Sequence, residues 1–102
     1  TSAMTFCATV NTIIHCGATP VLADIDPITW NIDPKKIEER ITPKTKAIIP
    51  VHFAGRPCDM DSIIKIAKKY NLFIIEDCAH AIETEYKGKK AGTFGDFGVF
   101  SF

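Results

Sequence analysis

Leu72-Phe73-Ile74-Ile75-Glu76-Asp77-Cys78-Ala79-His80-Ala81 is an apolar run that ends in acid and then in histidine. Four apolar residues in a row, with no polar alternation, predict a strand covered on both faces, as in a parallel sheet packed between helices. The segment before it, Asp61 to Tyr70, carries apolar residues at 63, 66, 67 and 70 with lysines mainly between them, which is the spacing of an amphipathic helix. Helix followed by strand is half of a βαβ unit. Ligands of open parallel sheets bind beyond the carboxyl ends of the strands, so Asp77 and His80 stand where a cofactor is expected.

Upstream, Asp59 or Asp61 caps that helix, and His52 to Pro57 forms a loop containing Gly55. Ala47 to Val51 is an earlier strand; Pro50 has no N–H to give a ladder, so it belongs near the strand's end or on an edge. Asp33-Pro34 is a strong helix start, and this helix runs to about Ile41. Pro20 to Ile25 is expected to be the first strand, turned out by Asp26-Pro27. A short helix from Ala8 to Cys16 stops at Gly17. Downstream, Glu85 to Lys90 predicts a hairpin turned at Gly88, and Gly92 to Gly98 leads into a last strand. No linker, repeat or internal domain boundary interrupts residues 1–102.

The 102 residues suit one small domain or part of one. Thr1 and the apolar Val99-Phe100-Ser101-Phe102 both read as cut ends. Twelve Lys and Arg balance twelve Asp and Glu, which leaves no electrostatic footprint for nucleic acid or an anionic membrane. The uncharged runs are too short to span a bilayer, and no signal peptide is visible. Cys7, Cys16, Cys58 and Cys78 are far apart, without Cys-x-x-Cys spacing, so a reduced cytoplasmic protein without zinc is expected. Three scattered histidines offer no ligand pair at diagnostic spacing, and no metal site is expected.

Among the chemical candidates, Asp77 can pair with a cationic ring nitrogen or merely cap the turn after its strand. His80 can bond a ligand oxygen or satisfy loop carbonyls. The glycines from Gly92 to Gly98 lack the Lys-Ser/Thr of a P-loop and the Gly-x-Gly-x-x-Gly of a dinucleotide turn, and tight turning explains them better. Phe6 is by default a core residue, and Ser101 an ordinary strand residue. Cys78 lies among acids, the opposite of what a catalytic thiol requires.

Taken together and in order, Thr5-Phe6-Cys7-Ala8-Thr9-Val10-Asn11, Gly17 to Val21, Ile32-Asp33-Pro34, Ile41 to Ala47, Pro50-Val51-His52, Gly55, Asp59-Met60-Asp61, Glu76 to Ala81, Tyr86-Lys87-Gly88 and Gly95 to Phe102 form a known pattern. The chain resembles the DegT/DnrJ group of pyridoxal-phosphate sugar aminotransferases. The resemblance implies an α/β, three-layer, mainly parallel sheet of the aspartate-aminotransferase-like kind (fold type I). Residues 1–102 would be the central, incomplete part of the large domain, in a homodimer. It implies pyridoxal 5'-phosphate as cofactor, a nucleotide-linked keto-deoxysugar as substrate and an amino-acid donor, usually glutamate. By matching positions, Asp77 resembles the acid that pairs with the pyridinium nitrogen. His80 takes the place of a residue that bonds the phenolic oxygen, where many relatives have glutamine. Phe6 resembles the aromatic that stacks on the ring, and Ser101 the hydroxyl that bonds the phosphate.

The same resemblance puts the covalently bound lysine beyond Phe102, so none of Lys87, Lys89 and Lys90 is expected to hold the cofactor, and the 102 residues alone are expected to be inactive. Two alternatives stay open within the scaffold. Some relatives are deoxysugar dehydratases with histidine at the lysine position, and a non-catalytic regulatory protein could use the same fold. A dinucleotide-binding module lacks its glycine fingerprint.

Overall fold

Capping decides where the helices begin and end. In the computed structural model, which describes residues 1–102, α1 spans Cys7–His15, α2 Pro34–Arg40 and α3 Met60–Tyr70. Asp33 accepts the Lys35 N–H with Pro34 at the first position of α2, and Asp59 accepts the Ser62 N–H at the start of α3. Gly17, at φ 74°, ends α1 as expected. Asn71 does the same for α3 in the left-handed region, at φ 53°.

The main sheet has the order β1-β2-β5, with β1 at Ala47–Ile48, β2 at Phe73–Asp77 and β5 at Phe97–Val99. All its pairings are parallel, and the register sets Ala47 beside Phe73 and Asp77 beside Val99. β1, α3 and β2 form the βαβ unit, so β2 is the central strand. A second, antiparallel pair joins β3 (Glu85–Tyr86) to β4 (Lys89–Lys90). Lys87 and Gly88, at φ 51° and 80°, make the two-residue turn expected at Gly88.

The core lies between α2, α3 and one face of the sheet. Ile37 from α2, Met60, Ile63, Ile66 and Ala67 from α3, Ile48 from β1 and Ile74 from β2 are all buried there. Each fully buried large side chain contributes about 1.5–3 kcal/mol, so the amphipathic pattern of α3 is what fixes this helix to the sheet. Tyr70 of the same stripe stays at the rim, where its hydroxyl donates to Glu38 of α2 at 2.9 Å.

Three expectations are corrected. Pro20 to Ile25 is not a ladder strand: it makes only a parallel bridge from Ala23 to Ser2 and an antiparallel one from Ile25 to Ile32. Its partner segment is equally short, and Asp26 turns the chain at once by accepting the Ile28 and Thr29 N–H groups at 2.8 Å. The strand expected over Ala47 to Val51 holds its ladder at Ala47–Ile48 and pairs again only at the bridge of Val51 to Asp77, with Pro50 unable to donate between them. Nor is β2 covered on both faces along its length. Ile74 and Glu76 turn inward, whereas Phe73 on the other face is 59% exposed. There α1 reaches only the carboxyl end of β2, so helices lie on both sides of the sheet but cover it unequally. No helix is long and apolar enough to cross a membrane.

Candidate functional site

The carboxyl ends of β1, β2 and β5 bring His52, Asp77 and the residues after Val99 to one edge of the sheet. Asp77 is the last residue of β2, and its backbone is held on one side by the segment after β1: its N–H donates to the Pro50 carbonyl at 2.8 Å, and its own carbonyl accepts the His52 N–H at 3.2 Å. Its carboxylate accepts the Thr9 hydroxyl of α1 at Oδ2, 2.8 Å away, and the Ala79 N–H at Oδ1, 3.1 Å away. The Ala79 contact is the turn-capping role that strand-end aspartates commonly play. The Thr9 contact is not local, and it ties α1 to the sheet edge.

Phe6 precedes the first turn of α1, where its carbonyl accepts the Thr9 N–H at 3.2 Å. Its ring is 75% exposed, so Phe6 is no core residue. Ser101 follows β5 shortly after Val99, the register partner of Asp77, and is exposed. Phe6, Asp77 and Ser101 therefore share one edge of the sheet. His80 sits in the turn after β2, where its Nδ1 accepts the Ala54 N–H at 3.3 Å. With Nδ1 as acceptor, the ring proton is on Nε2, and that donor points away from the loop's own amide. Phe53 packs edge-on against His80 with ring centres 6.1 Å apart, and Trp30 stacks on Phe53 at 6.2 Å. Ala54 is held at φ 50°, an uncommon value for a residue with a side chain, and this is the residue that meets His80.

On the opposite face of β2 lies a second polar centre that the sequence does not announce. Glu76 is fully buried. Its Oε1 accepts the Phe94 and Gly95 N–H groups at 2.7 Å, and its Oε2 accepts the Gly92 N–H at 2.7 Å and meets His52 Nε2 at 3.0 Å. The Cys58 N–H donates to His52 Nδ1 at 3.1 Å, so Nε2 carries the proton given to Glu76. Burial alone would raise the Glu76 pKa, but His52 and the three backbone N–H groups outweigh it and hold the carboxyl below the usual glutamate value.

This arrangement explains the glycine-rich segment. Its N–H groups cradle an anion supplied by the protein itself, the Glu76 carboxylate, and not a phosphate. Gly92, at φ 85°, allows the turn, and Gly98 allows its closure, because a side chain at 98 would strike the Gly92 backbone. His52, Glu76 and Cys78 bring their ligand-type atoms within 4.8 Å of one another. All four Glu76 acceptor sites are nonetheless occupied by N–H groups. Burial first, and then the charges of Glu76 and Asp77, push the Cys78 thiol up to about 12, which also disfavours it as a nucleophile. The glutamate that closes the apolar run was the one signal available for this centre, since a buried charge demands partners.

The chain belongs to the DegT/DnrJ/EryC1/StrS aminotransferase family, which it matches over residues 1–102. Among its relatives, the spore coat polysaccharide biosynthesis protein SpsC of Bacillus subtilis is 57% identical over the whole chain and 26% of its own length. The GDP-perosamine synthase of Caulobacter vibrioides is 52% identical over 97% of this chain and 27% of its own. A protein of Streptococcus pneumoniae, solved in apo, PLP and PMP forms, shares 40% identity; its PLP form superposes with a TM-score of 0.90 over 99% of this chain and 30% of that one. The chain thus spans about a quarter of the length of the curated relatives it matches.

Proposed function

We propose that these residues form the central part of the cofactor-binding large domain of a sugar aminotransferase, which moves an amino group from an amino acid, glutamate by family resemblance, to a keto-deoxysugar nucleotide. The observation that carries this is the place of Asp77: a carboxylate at the tip of the central parallel strand, hydrogen-bonded to the turn of α1 that Phe6 opens, and in register with β5 just before Ser101. Family membership and relatives such as GDP-perosamine synthase support the reaction class.

The donor set fits pyridoxal 5'-phosphate. Asp77 spends one acceptor site of each oxygen on Thr9 and Ala79, and each oxygen keeps a further lone pair for a ring N–H. The Nε2–H of His80 is free to donate to the phenolic oxygen, the exposed Phe6 ring offers a flat apolar face, and the Ser101 hydroxyl suits a phosphate oxygen. When bound, the cofactor supplies an electron-withdrawing ring. The role of Asp77 is then to keep a proton on the ring nitrogen through a charge-assisted bond, strengthened where water is excluded. Phe6 would fix the tilt of the ring and shield one face from water. His80, braced by Phe53 and oriented by the Ala54 N–H, would hold the oxygen side of the ring in line.

The full-length enzyme works as a homodimer in this proposal. The four cysteines of residues 1–102, all free and two of them exposed, suit the reducing cytoplasm. The test is turnover of the full-length protein carrying Asp77→Ala: a fall of at least about a hundredfold is expected, the scale of losing a charge-stabilising group. Near-wild-type turnover would defeat the assignment.

A further inference from the structure

Asp77 leaves β2 with a carboxylate whose plane its own backbone does not fix, because the terminal torsion of aspartate is broad and two-fold. The Ala79 N–H restrains one oxygen from the turn that follows. The other restraint comes from 68 residues away, where the Thr9 hydroxyl meets Oδ2 at 2.8 Å.

Thr9 is only 7% exposed. Hydroxyls inside helices commonly turn back onto a carbonyl of the preceding turn, yet this one spends its proton on Asp77. A carboxylate cannot donate, so Thr9 is the donor there and must be the acceptor in its 2.7 Å contact with the Thr5 hydroxyl. The direction of the relay is therefore fixed: Thr5 donates to Thr9, and Thr9 donates to Asp77. The same residue also gives its backbone N–H to the Phe6 carbonyl at 3.2 Å. One buried threonine, β-branched and stiff at its first torsion, thus joins the carboxylate proposed for the ring nitrogen to the aromatic proposed for the ring face.

We propose that Thr9 is a positioning residue, which fixes the plane of the Asp77 carboxylate relative to Phe6 and thereby sets how firmly the protein grips the cofactor ring, with Thr5 fixing Thr9 in turn. This rests on the cofactor reading above. It assigns Thr9 no contact with substrate or cofactor.

The test uses the full-length protein, freed of cofactor and titrated with pyridoxal 5'-phosphate, alongside steady-state kinetics. Thr9→Val keeps the shape and removes the hydroxyl. It is expected to weaken pyridoxal 5'-phosphate binding about tenfold, the factor one hydrogen bond to a charged group carries, and to lower kcat while KM for the sugar nucleotide stays put. Thr9→Ser retains the hydroxyl and is expected to return both to within about twofold of wild type. Wild-type affinity in Thr9→Val, or a Thr9→Ser variant as weak as Thr9→Val, would overturn the inference, the second because packing and not the hydroxyl would then be responsible. Should Thr9→Val fail to fold, Thr5→Val decides: about two- to threefold weaker binding supports the relay and unchanged binding defeats it. Asp77→Ala separates the two levels. If it weakens cofactor binding while Thr9→Val does not, only the role of Thr9 falls; if Asp77→Ala binds as wild type, the cofactor reading falls and the role of Thr9 with it.

Discussion

Glu76 and Asp77 are consecutive on β2 and send their carboxylates to opposite faces of the sheet, Glu76 to His52 at 3.0 Å and Asp77 to Thr9 at 2.8 Å. The two-residue period of the strand thus gives neighbouring acids different environments. One is fully buried and saturated by hydrogen bonds; the other lies at the rim with acceptor capacity to spare. The buried acid ties the segment after β1, β2 and the turn before β5 together, and the rim acid keeps acceptor sites free.

Replacing each acid by its amide separates these roles. In Glu76→Gln the new NH2 group must face either the Gly92 N–H and the His52 Nε2–H, or the Phe94 and Gly95 N–H groups, donor against donor in both cases. Breaking a buried charge centre in this way is expected to cost about 3–5 kcal/mol of stability, measured by urea unfolding of the full-length protein. Asp77→Asn, at the rim, is expected to cost under about 1 kcal/mol and yet to remove most turnover. Equal stability losses in the two variants would contradict this division.

Glu76 also sets a pH dependence. Burial pushes its pKa up, but His52 and the N–H groups of Gly95, Gly92 and Phe94 push it down further, so the folded value lies below the ordinary 4.5. The unfolded chain therefore binds the proton more readily than the folded one. The stability Glu76 contributes is fully present above the unfolded value of 4.5 and is lost as pH falls through the lower, folded value. Unfolding free energy measured from pH 6 downward should drop in that acidic window in the wild type. The drop should be shallower in Glu76→Gln; identical slopes would remove Glu76 as the cause.

Two glycines with similar exposure of sequence differ in what surrounds them. Gly98 lies against the Gly92 backbone, which cannot give way, whereas Gly88, at φ 80°, has open space around its missing side chain. Gly98→Ala is expected to cost about 3 kcal/mol by overpacking β5 against the turn at Gly92. Gly88→Ala carries only the left-handed backbone penalty of about 1–2 kcal/mol. Thermal melts that rank Gly88→Ala as the worse of the two would refute the close approach at Gly98.

What could be read from the sequence was local. Asp33-Pro34, the apolar stripe of α3, Gly17 and the Lys87-Gly88 turn are signals carried by residues near one another, and each element stands where expected. The segment from Pro20 to Ile25 misled because β-propensity needs a partner strand, and it finds only single bridges, to Ser2 and to Ile32. Exposure of Phe73 was equally invisible, since an apolar run does not say how much chain lies over it. Asp77 could be singled out by its place at a strand tip, but Thr9 lies 68 residues from it and His52 24 residues from Glu76, separations at which spacing carries no information.

The hairpin lysines offer a last prediction, because their surroundings argue against covalent chemistry. A lysine attacks a carbonyl only as the free amine, which requires a lowered pKa. Lys87 pairs with Asp61, whose hydrogen bond and charge raise its pKa. Lys90 lies 3.0 Å from both Glu85 and Glu83, which raise its pKa as well. Lys89 stands 4.6 Å over the Phe94 ring, a cation–π contact. All three occupy the hairpin around Gly88, which meets the start of α3 through Lys87 and Asp61. On the cofactor reading proposed above, full-length protein with Lys87, Lys89 and Lys90 all changed to arginine should therefore bind pyridoxal 5'-phosphate as the wild type does. Borohydride reduction of the wild type followed by peptide mass spectrometry should find the cofactor on a different lysine; an adduct on any of these three would reverse the conclusion.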